Sequence, residues 1–135
     1  DEGANPALRS GAVQCWGRNA FGQLGIESDA ASVGLEQGDM PPAKDVILGA
    51  GVPKQIAAGK EHACAVLEGG EVRCWGKGGP WLGYGSMEHV GKAVGSMPPR
   101  DISTGGLVLE VAAGELHTCV VNSDNNVRCW GGNVR

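Results

Sequence analysis

Val13-Gln14-Cys15-Trp16-Gly17, Val72-Arg73-Cys74-Trp75-Gly76 and Val127-Arg128-Cys129-Trp130-Gly131 are three versions of one stretch. The Cys-Trp-Gly core is identical in each, and the cysteines fall 59 residues (Cys15 to Cys74) and 55 residues (Cys74 to Cys129) apart. Three of the four tryptophans and three of the five cysteines lie in these copies, so rare residue types return in register. A fixed period of this length marks a repeat array.

Working outward, other segments recur with the same order. Ile56-Ala57-Ala58-Gly59 answers to Val111-Ala112-Ala113-Gly114, His62-Ala63-Cys64 to His117-Thr118-Cys119, and Met40-Pro41-Pro42 to Met97-Pro98-Pro99. Ala12–Trp16, Val52–Gly59, His62–Leu67 and Glu71–Trp75 read as short strands, Asp45–Leu48 as an edge strand, and Ile26–Gly38 as a long loop. Glu68-Gly69-Gly70 is a hairpin turn, since paired glycines supply the positive φ that tight turns require. No useful 3.6-residue period is present, which disfavours a helical repeat. Four short strands per unit predict an all-β chain of about two four-stranded β-propeller blades, part of a larger propeller. Residues 1–10 read as an irregular lead-in, and the repeats fall at about 11–69, 70–124 and a partial 125–135.

Composition agrees. Glycine is 24 of 135 residues with no Gly-X-Y period, which suits many tight turns. The net charge is −4 and the basic residues are scattered, so no basic face is expected to hold nucleic acid or an anionic membrane. No apolar run approaches the roughly 18 residues of a membrane span. The first residues carry no signal-peptide pattern, so either a signal has been removed or the chain is a piece of a longer one.

Cys64 and Cys74 flank the first turn symmetrically, ten residues apart, and Cys119 and Cys129 flank the second with the same spacing. Opposed positions in a non-hydrogen-bonded antiparallel pair lie within disulfide reach, so both pairs are predicted to be cross-strand disulfides. Zinc fits this spacing poorly; buried free thiols are the alternative. Disulfides point to an oxidising, extracytoplasmic compartment: secreted, periplasmic or an organelle lumen. Cys15 has no cysteine at the corresponding upstream place, where Asn5 stands. It is expected to pair with a segment outside this chain or to be a free thiol, and the chain reads as cut through a blade.

Gly17-Arg18-Asn19-x-x-Gly22-Gln23-Leu24-Gly25, the Ala-Ala-Gly-x-x-His-x-Cys segments at 57–64 and 112–119, and the Trp-Gly ending each hairpin resemble the regulator of chromosome condensation repeat family. The likeness runs from Gly11 to Asn133. It implies a propeller, typically of seven blades, of which this chain holds about two. The founding member's exchange-factor role for a small GTPase, the ultraviolet photoreceptors' tryptophan cluster and the secreted members that inhibit β-lactamases are functions the family implies. None has its specific residues matched here, and the photoreceptors' Gly-Trp-Arg-His-Thr motif is absent.

No catalytic, phosphate-binding or metal-ligand motif stands out, so no cofactor and no enzyme activity are expected. His62 and His117 hold one place in the repeat and read as structural, each bonding a neighbouring blade's backbone. Trp16-Gly17, Trp75-Gly76 and Trp130-Gly131 read as structural residues ending each hairpin at the blade rim. Trp81 and Tyr84, in the divergent second glycine loop, are candidate exposed contacts. The expected function is a non-catalytic protein-interaction or structural module in an extracytoplasmic assembly, with a protein partner or further blades. A regulator or inhibitor of an enzyme acting through face loops, or an exchange-factor-like activity of the full-length protein, is the alternative.

Overall fold

Alternation along His62–Leu67 decides how the units stack. Cys64 and Val66 point into one core with Val72, Cys74, Val108, Val111 and Val120, while Ala63 and Ala65 point into a second with Val13, Val46, Leu48 and Trp75. Successive side chains of a strand face opposite ways. A strand apolar at every position is therefore a strand covered on both sides, and all six of these residues are buried.

The computed structural model describes residues 12–132. The expected lead-in over 1–10 lies outside them. The strands are β1 (Gly17–Arg18), β2 (Ser32–Val33), β3 (Pro53–Ala58), β4 (His62–Leu67), β5 (Val72–Gly76), β6 (Val108–Ala113), β7 (His117–Asn122) and β8 (Val127–Gly131). A 3₁₀ turn, Pro80–Leu82, is the sole helical element among the described residues. Three antiparallel sheets result, ordered β1-β2, β3-β4-β5 and β6-β7-β8. The chain is all-β, and its two larger sheets repeat one another down to a shift in register at Pro53/Gln55 and again at Val108/Glu110. Proline at the first position of β3 is tolerated because no ladder hydrogen bond is needed there.

Each of these two ladders has three strands. Beyond β5, the fourth place of the blade is filled by extended chain bonded at isolated points, since Ile102 N–H donates to the Val72 carbonyl at 2.9 Å. The first unit follows the same plan. Asp45–Leu48, expected as an edge strand, and Ala12–Trp16, expected as a short strand, meet through Val46 N–H and the Val13 carbonyl at 2.8 Å, without a continuous ladder. Interrupted pairing is what glycine- and proline-rich sequence allows, because these residues break the regular donor row. The loop expected over Ile26–Gly38 contains the short β2.

Candidate functional site

The chemistry-bearing side chains of the repeat converge on the seams between units. Trp75 is fully buried, and its indole N–H donates to the Gln23 carbonyl at 2.9 Å. Trp130 does the same to the Trp81 carbonyl at 2.8 Å. Gln23 and Trp81 hold equivalent places in Gly22-Gln23-Leu24-Gly25 and Pro80-Trp81-Leu82-Gly83. Both turns end on a left-handed glycine, with φ of 68° at Gly25 and 83° at Gly83. A Cβ there would stand 2.9 Å from the Trp75 indole nitrogen and 2.8 Å from that of Trp130. These tryptophans are thus wedges between units, which corrects their expected place at the blade rim. The indole needs both an apolar slot and an acceptor, and only the preceding turn supplies both. Trp16 is 60% exposed. Gly17, Gly76 and Gly131 share a positive φ at the end of each copy, 118°, 118° and 125°.

His62 is buried, with its Nε2 3.0 Å from the Thr118 hydroxyl of the next unit. That hydroxyl donates to the Trp81 carbonyl at 2.8 Å, so it must accept from His62, which places the proton on Nε2. Burial, and secondly the nearby charge of His117, hold the His62 pKa below its ordinary value. A side-chain partner joins the backbone contact expected: Thr118 stands where the previous unit has Ala63, and the His117 backbone of the same neighbouring unit also bonds His62 and opposes the lowering of its pKa. His117 is exposed. No carboxylate bonds the His62 ring, and no group of three or more potential metal ligands occurs among the described residues.

The residue before each repeat cysteine carries a role that sequence reading missed. Arg73 donates from Nε to Asp101 at 2.7 Å and from Nη1 to the carbonyls of Leu48 at 2.6 Å and Ala50 at 3.0 Å. Gln14 reaches Asp45 at 3.0 Å in the same geometry, and Arg128 reaches the Thr104 carbonyl at 2.6 Å. The signal was present: a polar donor in all three copies, with an aspartate shortly after each Met-Pro-Pro, at 45 and 101.

Trp81 and Tyr84 are correctly placed in the second loop but are not exposed contacts. The Trp81 indole donates to the Lys77 carbonyl at 2.8 Å, and its own carbonyl serves Thr118 and Trp130. The Tyr84 hydroxyl accepts the Cys74 N–H at 3.0 Å and lies 2.8 Å from the Cys74 carbonyl and 3.0 Å from that of Arg100. It completes the outer edge of β5 where no strand does. Burial pushes its pKa up to about 12. A cleft of about 340 Å³ beside it is lined by Tyr84, Glu88, His89, Ser96, Pro98 and Arg100 among others.

Cys64 is joined to Cys74 and Cys119 to Cys129 by disulfides between directly opposed residues of each hairpin. The first is fully buried; in the second Cys129 is exposed. Cys15 is a free, half-buried thiol, and burial pushes its pKa up, which lowers its thiolate fraction. Among the described residues no helix is long and apolar enough to cross a membrane.

Two segments, residues 54–79 and 108–135, match the regulator of chromosome condensation (RCC1) repeat. The chain is 34% identical over 122 residues to the ultraviolet-B receptor UVR8 of Arabidopsis thaliana, a match covering 90% of this chain and 25% of the receptor. Among solved structures it is similar to human WBSCR16, with a TM-score of 0.65 at 22% identity over 85% of this chain and 28% of that one. It is also similar to yeast RCC1 (Prp20) in complex with Kap60, with a TM-score of 0.56 at 24% identity over 86% of this chain and 27% of that one. The chain therefore spans about a quarter of the length of these proteins. The structural likenesses establish the fold, a run of propeller blades. By its motifs, its repeat plan and these matches, the chain carries repeats of the regulator of chromosome condensation (RCC1) type.

Proposed function

We propose that this chain is a non-catalytic protein-interaction or structural module, working in an extracytoplasmic assembly. The observation that carries the reading is that the repeat's chemistry-bearing side chains are engaged in joining units. His62, Trp75, Trp130 and Arg73 all bond across a seam, which leaves no convergent acid, base or nucleophile among the described residues. What the repeats present outward includes exposed apolar side chains such as Leu35, Ile56, Met87 and Val94, the material of a binding surface. The yeast protein of the same fold is seen bound to another protein, Kap60. Two cystines at one place in successive repeats favour an oxidising compartment.

Alkylating thiols at the moment of harvest, then weighing the unreduced protein, tests the compartment. No more than one alkylated cysteine, Cys15, is expected. Five would overturn the extracytoplasmic reading.

A further inference from the structure

The loop from Gly83 to Arg100 carries side chains that the repeat plan does not ask for. In it Gly76 exchanges two backbone bonds with Val90, as Gly17 pairs with Val33 in the first unit. Aligned on these pairs and on the turn-ending glycines, the first unit has Ile26 for Tyr84, Ala31 for Glu88 and Ser32 for His89. Lys44, like Arg100, stands just before the aspartate, but Ile26 takes the place of the ring. What every unit needs returns in every unit. Tyr84, Glu88, His89 and Arg100 do not return, and they line one cleft of about 340 Å³. Capping β5 accounts for Tyr84 but not for the other three.

The units on both sides of this loop are in the structure. Lys92 Nζ reaches the Ala20 carbonyl of the first unit at 3.1 Å, and the 3₁₀ turn that leads into the loop packs on β7 and β8. Both neighbours are in place and the cleft is still open.

Two donors at the cleft are fixed in place and unused. Arg100 and Tyr84 hold one another: Arg100 Nη2 donates to the Tyr84 carbonyl at 3.0 Å, the Tyr84 hydroxyl lies 3.0 Å from the Arg100 carbonyl, and the guanidinium carbon sits 5.3 Å from the phenol centroid. A guanidinium has several N–H groups, so most of the fork stays free, and among the described residues no carboxylate meets it. His89 accepts the Gly78 N–H on Nδ1 at 2.8 Å, and its ring lies against Phe21 with centroids 5.2 Å apart. The neutral ring then carries its proton on Nε2, with no acceptor among the described residues. A planar fork beside an imidazole N–H receives a carboxylate. Glu88 selects among oxyanions, because its charge at the same cleft repels a phosphate dianion more than a single carboxylate. Val90 and Pro98 add an apolar wall.

We propose that this cleft is a peptide-binding site for an acidic residue next to an aliphatic one, on an extended segment of a protein partner. The carboxylate lies on Arg100 and His89, and the aliphatic side chain lies against Val90 and Pro98. A volume of about 340 Å³ suits a pair of residues. The proposal rests on reading the chain as an interaction module and names one site and the chemistry of its partner.

The test uses the whole isotope-labelled chain and the blocked dipeptide acetyl-Asp-Leu-amide, followed by the chain's backbone amide and arginine Nε–H NMR signals. Saturable shifts confined to Tyr84–Val90, Ser96 and Arg100 are expected. Acetyl-Asn-Leu-amide should bind about fivefold more weakly, the size of an exposed ion pair. Arg100→Gln should erase the difference between the two peptides, and Glu88→Gln should tighten the aspartyl peptide about twofold. Shifts that are absent or fall elsewhere, equal binding of the two peptides, or inorganic phosphate moving the same signals at lower concentration would overturn the proposal. Should Arg100→Gln not fold, the two peptides against the native chain carry the same test. Cleft signals that move with protein concentration in the absence of peptide would assign the site to a second copy and also overturn it. No cysteine lines this cleft, so failure here is distinguishable from failure of the thiol count.

Discussion

Tyr84→Phe removes one oxygen from the centre of the second unit, and the expected cost is large for so small a change. Cys74 is fully buried, and both its outward backbone groups end on the Tyr84 hydroxyl. The variant keeps the ring, and with it the packing against the core, so the loss is polar. It strands one buried donor and one buried acceptor, each costing about 1–3 kcal/mol when unsatisfied. Tyr84 is half-buried, so water can reach part of the gap, which sets the expectation near the lower end, about 2–4 kcal/mol. Urea denaturation should show a lower midpoint at unchanged slope, because the surface exposed on unfolding is the same. Amide exchange at Cys74 should quicken. A loss under about 0.5 kcal/mol with the Cys74 amide as slow as before would refute the capping role. The same hydroxyl predicts an alkaline limit. Its folded pKa, about 12, lies above the ordinary 10.0, so the neutral form is favoured in the fold. Stability from this group is complete below pH 10.0 and drains as pH climbs from there through about 12. A pKa difference of this size between folded and unfolded chain corresponds to about 3 kcal/mol. Tyr84 is the single tyrosine, so ultraviolet titration of the phenolate reads it alone.

Two further outcomes follow from the seams. The His62 pKa is lowered in the fold by burial, so its stabilising contribution is present above the ordinary 6.5 and is lost as pH falls below that value. His62→Gln should flatten the stability profile on that acid side, and an unchanged slope would remove His62 as its source. Gly25→Ala and Gly83→Ala each force a side chain into positive φ and into the indole of Trp75 or Trp130, and should cost about 2 kcal/mol or more by thermal or urea melts. Gly85→Ala, with a φ of 70° and open space around its Cβ, is the control that isolates the backbone share, and equal losses at all three would show that the indole contact is immaterial.

Much of the fold was legible in the chain because it rests on local rules. The period of Cys-Trp-Gly, the glycine-marked turns and the short apolar run His62–Leu67 are short-range signals, and they locate the hairpins, their register and the opposition of Cys64 with Cys74. The seams were not legible, because their partners lie far apart in sequence. Trp75 meets Gln23 at a separation of 52 residues, and His62 meets Thr118 at 56. Tyr84 offered no pattern at all, since a lone aromatic in a loop reads the same whether it faces solvent or closes a strand edge. By itself, then, the amino-acid order determined that this protein is a repeating set of hairpins with cysteines opposed across each of the two later turns. Only the tertiary structure decided which side chains bind one unit to the next, because stacking two units brings together donors and acceptors that no local spacing relates.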